Sequence, residues 1–487
     1  MMRISKEIAA AGGLAPEESE AVARLVDEWS GHWARNRLRD RYYYGHVRVR
    51  DIGVSVSPQL ARKLDPHVDW AAKCVDWWSD RVQFDGVTVS DEASQDALDR
   101  VLAANDMRNL LHKTATVALR HSVAFLAVTS DPDTGETVVS GYPATASSAI
   151  WDESRKRIGC GLVVVESERP RGSRTRRPLV VHVYTDEQVI VLRRGAGGWS
   201  VADRVEHGMG RVPMEPVAYH PTLERPFGRS RITRTVMALV DDAQREMMNM
   251  TAAAAFAAAP QKFLLDVDKS TGKKIAESGF DAFIGSIFTA TANSKGRKPD
   301  FGQLAQLSMQ PHLDYMRSLA SQFSSATGVP LSSLGVVSDN PSSAEAIYAS
   351  KEDAVVDIQS FIDGCKRSVG TVCDMVLAAE GGRSLADQRA LGLAVDVHYR
   401  KPDRPSTVSQ SQAIMSQVQA IPWLADSDVA LRELGYDDEQ VHQLRSDRRK
   451  SQALKGAQAV LDRNQVTGED IPGRAGQVQG ADSVEAG

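Results

Sequence analysis

Three stretches of the chain repeat apolar residues every three or four positions, the spacing that places them on one face of a helix. The first carries Ile232, Val236, Leu239, Ala243, Met247, Met250 and Ala254, the second Leu313, Met316, Leu319 and Phe323, and the third Val355, Ile358, Ile362, Cys365, Val369, Val372 and Val376. The pattern predicts helices over about 228–258, 305–327 and 344–380. The first would reach about 45 Å at ~1.5 Å per residue. Gly364 and Gly370 inside the third favour a kink or close packing.

A loop separates the second and third of these helices. It reads GVPLSSLGVVSDNPSSAEAI, from Gly328 to Ile347. Gly328 and Pro330 end the preceding helix, because glycine adopts the left-handed conformation of a helix end and proline cannot continue a helix. Ser342 or Ser343 is predicted to cap the next helix, with Glu345 in its first turn.

The N-terminal half changes from helical to strand periodicity. Helices are predicted over about 15–45, 66–82 and 92–122. From Val123 onward seven short apolar runs alternate with turn residues, which predicts an antiparallel β region. The run Arg169–Arg177 holds five arginines between two of these strands. We expect a solvated hairpin tip there, with contact to a protein or DNA as the alternative.

The remaining segments are shorter. Residues 260–303 contain the candidate strands QKFLLDV and GSIFTATA and a basic turn with Lys295, Arg297 and Lys298. After a helix stop at Gly381-Gly382 comes a strand-like VDVHYRKPD, followed by helices near 406–420 and 437–458 with a short one between them. The tail from about 459 lacks large apolar groups and is predicted to be disordered. The predicted fold class is α+β.

Composition and charge narrow the function. With 487 residues, 42% hydrophobic, the chain can bury a large core, and we expect two to four domains. A net charge of −5 shows no basic excess of the kind that tight nucleic-acid binding needs. The four cysteines, 74, 160, 365 and 373, have no metal-site spacing and are expected to be reduced. We expect no signal peptide and no membrane span, since the apolar run 251–260 is too short.

The motifs that carry enzymatic chemistry are each incomplete. Ser270–Lys274 lacks the first glycine and the final Ser/Thr of a phosphate-binding loop, and Gly208–Pro213 ends the dinucleotide pattern in proline. Neither HExxH nor GxSxG occurs. The neighbouring Asp241 and Asp242 diverge on a helix and are interpreted as surface charge. We therefore expect no enzyme and assign no catalytic, cofactor-binding or metal-binding residue.

Four blocks give the chain a resemblance to a known family. They are YYYGH at 42–46, GRVPMEPVAY at 210–219, GRSRITRTVMALVDDAQR at 228–245, and PLSSLGVVSDNPSSAEAI at 330–347. In this order they resemble the portal proteins of tailed bacteriophages, in the branch typified by phage SPP1 and common among phages of actinobacteria. The resemblance extends from about residue 20 to about 450.

The resemblance implies a division of the chain into the parts of a portal subunit. These would be a wing over 1–227, a first stem helix over 228–259, a clip over 260–303, a second stem helix over 304–328, a tunnel loop over 329–343, a kinked wing helix over 344–380, a crown over 381–458 and a tail over 459–487. The residues expected to face DNA in the tunnel loop are Leu334, Val336, Val337, Ser338, Asp339 and Asn340. The basic turn Lys295, Arg297 and Lys298 would meet terminase, an adaptor or DNA.

The resemblance also implies a function and its partners. The chain would form a dodecameric ring at the portal vertex of the virion, assembled in the host cytoplasm, and would conduct double-stranded DNA without sequence specificity. Its protein partners would be the terminase large subunit, the head-to-tail adaptor, and the major capsid and scaffold proteins. Two alternatives remain: a DNA-binding or scaffold protein that forms no ring, and an enzyme with an unrecognised site.

Overall fold

The structure is a computed structural model that describes residues 4–48, 66–131, 134–172, 175–258, 262–265, 273, 297, 300–303, 308–336, 352–402, 407–436, 440–441, 443–452 and 454. The chain divides into two compact units, residues 1–403 and 404–487. The first unit mixes helices with antiparallel sheets, which confirms the predicted α+β class.

Eight α-helices belong to the described part of the first unit. They are α1 (Pro16–Tyr43), α2 (Trp70–Ser79), α3 (Glu92–Ala104), α4 (Met107–His121), α5 (Arg234–Ala258), α6 (Gln310–Thr327), α7 (Glu352–Glu380) and α8 (Leu385–Ala390). Short 3-10 helices cover Lys6–Ala10 and Leu331–Leu334. In the second unit, α9 (Thr407–Ala420), a 3-10 helix (Pro422–Asp426) and α10 (Asp428–Glu433) follow one another, and helical residues recur between 440 and 454.

The strands of the described residues form four antiparallel sheets. In chain order they are β1 (Phe84–Val89), β2 (Val123–Ser130), β3 (Thr137–Pro143), β4 (Ser147–Asp152), β5 (Arg157–Glu168), β6 (Arg177–Tyr184), β7 (Gln188–Gly195), β8 (Gly198–Glu206), β9 (Met214–Ala218), β10 (Lys262–Leu265), β11 (Asp300–Gln303) and β12 (Val395–Tyr399). The sheet orders are β4-β5-β6-β7-β8, β3-β2-β9, β1-β12 and β10-β11. The seven strands predicted from Val123 onward are confirmed as β2 to β8.

The five-stranded sheet is buried on both faces because its side chains alternate between two layers. On β5, Leu162 packs in a cluster with Val22 and Leu25 of α1. The adjacent Val163 points to the other side, in a cluster with Phe125 of the three-stranded sheet. The sheet is therefore the middle layer between α1 and the smaller sheet.

A separate and larger core holds the helices together. Its fully buried members include Trp78 of α2, Leu119 of α4, Val240 of α5, Phe323 of α6 and Ile362 of α7. The small β1-β12 sheet also packs on this core through Val87 and Val397. Most of the elements named in the sequence patterns thus meet in one hydrophobic cluster.

The predicted helix over 92–122 is wrong in one respect, since the structure has two helices, α3 and α4. Asp106 adopts a left-handed conformation with φ 45° between them. The side chain of Asn105 accepts from the backbone N–H of Val139 at 2.9 Å and donates to the carbonyl of Thr137 at 3.1 Å. The break therefore lets Asn105 hydrogen bond to β3, a tertiary contact that periodicity does not reveal.

The first long helix begins at Arg234, later than the predicted residue 228. Residues 228–233 are not helical, and Gly228 has φ 66°. The apolar stripe is correct as far as Ala243, which is fully buried. Beyond it the buried face shifts: Met248 is buried and Met247 is exposed.

Helix α7 confirms most of its predicted apolar stripe. All of its predicted residues from Ile358 to Val376 are buried. A Cβ on Gly370 would lie 3.8 Å from Val397 of β12, so this glycine is in close packing, whereas a Cβ on Gly364 would meet nothing. The helix ends at Glu380, followed by Gly382 at φ 57°, as the Gly-Gly stop predicts. The predicted caps at Ser342, Ser343 and Glu345 lie outside the described residues.

Three further predictions concern single features. The described residues of the arginine run between β5 and β6 are exposed except for the half-buried Pro170, which confirms a solvated tip. All four cysteines are free, and three of them are buried. Among the described residues, no helix combines the length and apolar character that a membrane crossing requires.

Candidate site at the base of the helical hairpin

Helices α5 and α6 form an antiparallel pair, called here the helical hairpin. Near one end, Arg231 just before α5 donates to the carbonyl of Thr327, the last residue of α6. Further along, Glu246 of α5 contacts Nδ1 of His312 near the start of α6 at 2.6 Å. The 25 residues of α5 span about 37 Å at ~1.5 Å per residue. The chain leaves α5 into β10 and enters α6 from β11, and these strands pair with each other.

The end of the helical hairpin at Arg231 and Thr327 is called here its base. It is organised by the side chain of Arg231, which is only 8% exposed. Its Nε donates to the carbonyl of Cys74 at 2.8 Å, its Nη1 to the hydroxyl of Tyr219 at 2.8 Å, and its Nη2 to the carbonyl of Thr327. Its Cζ lies 3.4 Å from the ring centroid of Trp78. One guanidinium therefore joins α2, the end of β9 and both helices of the hairpin.

This arginine is buried without a carboxylate partner among its described contacts. Neutral acceptors and the faces of Trp78 and Tyr219 take the place of an ion pair, and a planar cation with five N–H groups suits such an arrangement. Burial raises the pKa of Tyr219, and the neighbouring Arg231 opposes that rise. Tyr219 therefore stays a neutral hydroxyl at physiological pH, able to accept from the guanidinium.

Two glycines allow the close approaches that build this base. Gly228 has φ 66°, and a Cβ there would overlap the carbonyl of Tyr219. Gly328 ends α6 with φ 69°, and a Cβ there would lie 3.1 Å from Cβ of Ala354 at the start of α7. Glycine alone adopts such φ values without strain. The turn before α5 and the exit from α6 are thereby held against the core.

Three consecutive tyrosines at the end of α1 tie the surrounding elements together. Tyr42 donates to both carboxylate oxygens of Asp241 on α5, at 2.9 and 3.0 Å. Tyr43 donates to Asp76 on α2 at 2.7 Å. The hydroxyl of Tyr44 accepts from Arg120 on α4 at 2.9 Å. The three tyrosine hydroxyls of the YYYGH block thus hydrogen bond to three different helices.

The interface within the helical hairpin is partly polar. Gln244 and Glu246 of α5 are 1% and 6% exposed, and Glu246 contacts His312 across the interface. Asn249 donates to the second carboxylate oxygen of Glu246 at 3.3 Å. The contact between Glu246 and His312 therefore joins α5 and α6 at one defined position of their interface.

The structure places the predicted loop residues in two groups. Leu334 ends the 3-10 helix after α6, and Leu334 and Val336 are both half-buried against the main core. Val337, Ser338, Asp339 and Asn340 lie outside the described residues. Of the predicted basic turn, Arg297 is exposed, and Lys295 and Lys298 lie outside the described residues. The roles assigned to both groups stay predictions.

Sequence reasoning missed Arg231 as an organising residue. Arginine is rarely buried, so GRSR reads as a solvent-exposed turn before a helix. The signal was present in the resemblance, because three of the four blocks that carry it contact one another. Tyr42 of the first block contacts Asp241 of the third, and Tyr219 of the second contacts Arg231 of the third.

The fold and this base define the class of protein. It is an α+β body in which one end of a long helical hairpin is fastened to the core by hydrogen bonds from Arg231 to neutral acceptors and by its stacking on Trp78. Within the described part of the chain no group of three or more His, Cys, Asp or Glu residues could hold a metal ion. The base positions helices and the loop that follows α6.

Comparison with known proteins identifies the family. The family described as phage portal protein, SPP1 Gp6-like, matches residues 23–422, and the chain belongs to it. This confirms the resemblance found in the sequence.

Two curated relatives are similar to the chain. The portal protein of Mycobacterium phage L5 is 26% identical over 333 residues, which cover 65% of this chain and 66% of that protein, just under two thirds of its length. The portal protein of Mycobacterium phage D29 is 25% identical over 357 residues, 70% of each chain.

Solved structures of gene transfer agent particles also show similarity. A chain in the virion of the native gene transfer agent particle is 12% identical, with a TM-score of 0.43, and the match covers 75% of this chain and 89% of that one. A chain in the neck of the native particle, computed with C12 symmetry, gives the same values.

Proposed function

We propose that this chain is the subunit of a ring, of twelve copies, at the unique vertex of a tailed-phage capsid. Each ring would admit double-stranded DNA during packaging and release it at ejection. The observation that carries the proposal is the match of the portal family to most of the chain, from residue 23 to residue 422. The role is structural, and the force for packaging would come from a separate ATPase.

The anchored helical hairpin supports this assignment to a conduit. We assign α5 and α6 to the stem, the segment between them to the clip, and the residues after Gly328 to the tunnel loop. A stem that borders moving DNA must keep its position under load, and Arg231 fixes both of its helices to the core. The predicted wing (1–227), kinked wing helix (344–380) and crown (381–458) complete the assignment. The first compact unit extends past 381, to residue 403.

The net charge of the chain supports a channel through which DNA moves, and not a protein that binds DNA tightly. Twelve copies at −5 each would carry 12 × −5 = −60. A wall that neutralised many phosphates would hold duplex DNA tightly and in a salt-dependent manner. A net negative ring repels its cargo toward the axis, and its contacts with DNA would follow the shape of the duplex, without base readout.

The partners follow from the same role. Terminase would dock during packaging, and the head-to-tail adaptor would replace it afterwards, with the basic turn of Lys295, Arg297 and Lys298 in the clip as the proposed contact. The major capsid and scaffold proteins would surround the ring in the virion. Assembly would take place in the host cytoplasm.

Native mass spectrometry of the purified chain tests the ring. We expect a particle of about twelve times 53.0 kDa, with no stable dimer. A monomer or dimer as the only species at high protein concentration would contradict the proposal and favour a DNA-binding or scaffold protein that forms no ring.

A further inference from the structure

A cleft of about 350 Å³ lies in the first unit between α1 and the loop that precedes α5. One wall is α1, with Arg35 and Arg39 one turn apart. The opposite wall is the loop 224–229, with Arg225 and Arg229. Its size suits one or two side chains of a bound molecule.

The four arginines of the cleft are not balanced by carboxylates. Arg35 donates to Nδ1 of His32 at 2.7 Å, which is a neutral acceptor. Within the described part of the chain, none of the four forms an ion pair. Glu28 and Glu224 also line the cleft, so its formal charge is four minus two, or +2, with histidine neutral. The chain as a whole carries −5, so this basic cleft runs against the average.

Arg39 is held in place from inside the protein. Its Nη1 donates to the carbonyl of His121 at 2.8 Å and to Oδ1 of Asn36 at 3.0 Å. Burial and the neighbouring Arg35 lower the pKa of Arg39 to about 10. An anion between the two arginines would relieve both effects, because it supplies the missing negative charge.

The floor of the cleft is aromatic. Phe227 contacts Phe125 and Trp151 edge to face, with ring centroids 5.6 and 6.0 Å apart. Trp29 also lines the floor, and its indole N–H is already donated to the carbonyl of Thr145. An apolar group of a ligand would therefore meet ring faces and no unpaired donor from Trp29.

We propose that this cleft binds a segment of a protein partner in which a carboxylate side chain adjoins an apolar one. The carboxylate would lie between the arginines and the apolar side chain on the aromatic floor. A DNA backbone fits less well, since Glu28 and Glu224 at the cleft would repel a continuous row of phosphates. An isolated acidic group avoids that repulsion. The proposal does not depend on ring formation.

The test uses the full chain and the dipeptide N-acetyl-aspartyl-phenylalanine amide as probe, with its asparaginyl analogue as the matched control. Saturation-transfer NMR and calorimetry would measure binding up to about 10 mM, the range of weak single-site ligands. We expect saturable binding of the aspartyl probe. The asparaginyl probe should bind at least about tenfold more weakly, because it cannot form the charge-assisted hydrogen bonds. Inorganic phosphate should compete, as it offers the same anionic chemistry.

Variants locate the binding. R225Q and R229Q change exposed side chains, and each should lower the affinity for the aspartyl probe by about tenfold. R193Q, an exposed arginine on β7 outside the cleft, should leave binding unchanged. Absence of saturable binding, equal binding of the two probes, or equal effects of R193Q and R229Q would overturn the proposal. A duplex oligonucleotide that displaced the probe at lower concentration than phosphate would instead assign the cleft to nucleic acid.

Discussion

At the scale of single residues, polar side chains buried at helix ends hold the helices of the first unit together. Arg231 donates hydrogen bonds to three acceptors from three parts of the chain. Its contribution to stability therefore comes from contacts that sequence periodicity cannot show. The apolar positions around it, such as Ile232 and Val236, were predictable because they repeat at helical spacing. The arginine was not, because burial of a charge depends on partners distant in sequence.

Replacing Arg231 should destabilise the first unit strongly. R231M leaves the carbonyls of Cys74 and Thr327 and the hydroxyl of Tyr219 without their donor, and we expect a loss of about 3 kcal/mol in the free energy of unfolding. R231K should lie between R231M and the wild type, since lysine lacks the planar fork. Urea unfolding followed by tryptophan fluorescence measures the loss. R193M, an exposed control on β7, should stay within about 0.5 kcal/mol. Similar values for R231M and R193M would show that the hydrogen bonds contribute little.

Y42F tests the link between α1 and α5. Tyr42 is buried and its hydroxyl donates to a carboxylate, so we expect a loss of about 1.5 kcal/mol. Y44F is the matched control, because Tyr44 is 57% exposed, and it should cost under about 0.5 kcal/mol. Thermal unfolding of both variants under one condition gives the comparison. A loss for Y44F as large as that for Y42F would contradict the account.

His121 predicts a pH dependence. It is 1% exposed, and burial lowers its pKa, while its contact with Asp40 at 2.7 Å opposes that shift. A lowered folded-state pKa means that the unfolded chain binds the proton first. Stability should therefore be fully present above the ordinary histidine pKa of ~6.5 and fall as the pH drops below it, by at most about 1.4 kcal/mol per pH unit for this group.

Denaturant unfolding between pH 7.5 and 5 at about half-unit steps measures this slope. H121Q should make the free energy of unfolding depend less steeply on pH. H67Q, at an exposed position, should not have this effect. An unchanged slope in H121Q would remove His121 as the cause. Some slope should remain in H121Q, because burial also lowers the pKa of His32, His182, His207 and His220.

At the scale of elements, the local sequence pattern predicted well where helices and strands occur. It predicted less well the residues at which they begin and end. The seven strands β2 to β8 were predictable because period-two alternation and turn residues mark each one. The pairing of β1 with β12 joins residues about 310 positions apart, such as Thr88 and Asp396, and no local signal encodes it. The break between α3 and α4 depends on Asn105 and β3, which is again a long-range contact.

The loop after α6 has a part that packs on the core and a part proposed to face DNA. Leu334 and Val336 pack on the main core, so they should be kept in any deletion. Removing only residues 337–340 should leave ring assembly intact and reduce DNA packaging or retention, if these residues face the DNA as proposed. Packaged DNA per particle, measured by nuclease protection, gives the result. Normal packaging by intact rings of the deletion variant would contradict the proposed loop role.

I362D is the opposite test on α7. Ile362 is 1% exposed in the main core, and a carboxylate there has no described partner. We expect a loss of more than about 4 kcal/mol, with failure of folding or assembly. The exposed D363N one position away should behave as the wild type. Soluble yield and circular dichroism separate the two, and a normally folded I362D protein would contradict the assigned core.

At the scale of the whole molecule, the fold class and family were predictable from the sequence. The order of four sequence blocks pointed to the portal family, and the family match over residues 23–422 confirms it. The contacts between these blocks became visible only in three dimensions, where Tyr42 binds Asp241 and Tyr219 binds Arg231. The Arg-rich cleft was not predictable, since Arg35 and Arg229 come from segments nearly 200 residues apart.

Electron cryomicroscopy of the purified chain would show whether the subunits form a ring and where the helical hairpin lies in it. We expect a closed ring with a central hole wide enough for duplex DNA, with α5 and α6 of every subunit beside that hole. A ring whose helical hairpins lie on the outer rim, or particles without rotational symmetry, would contradict it.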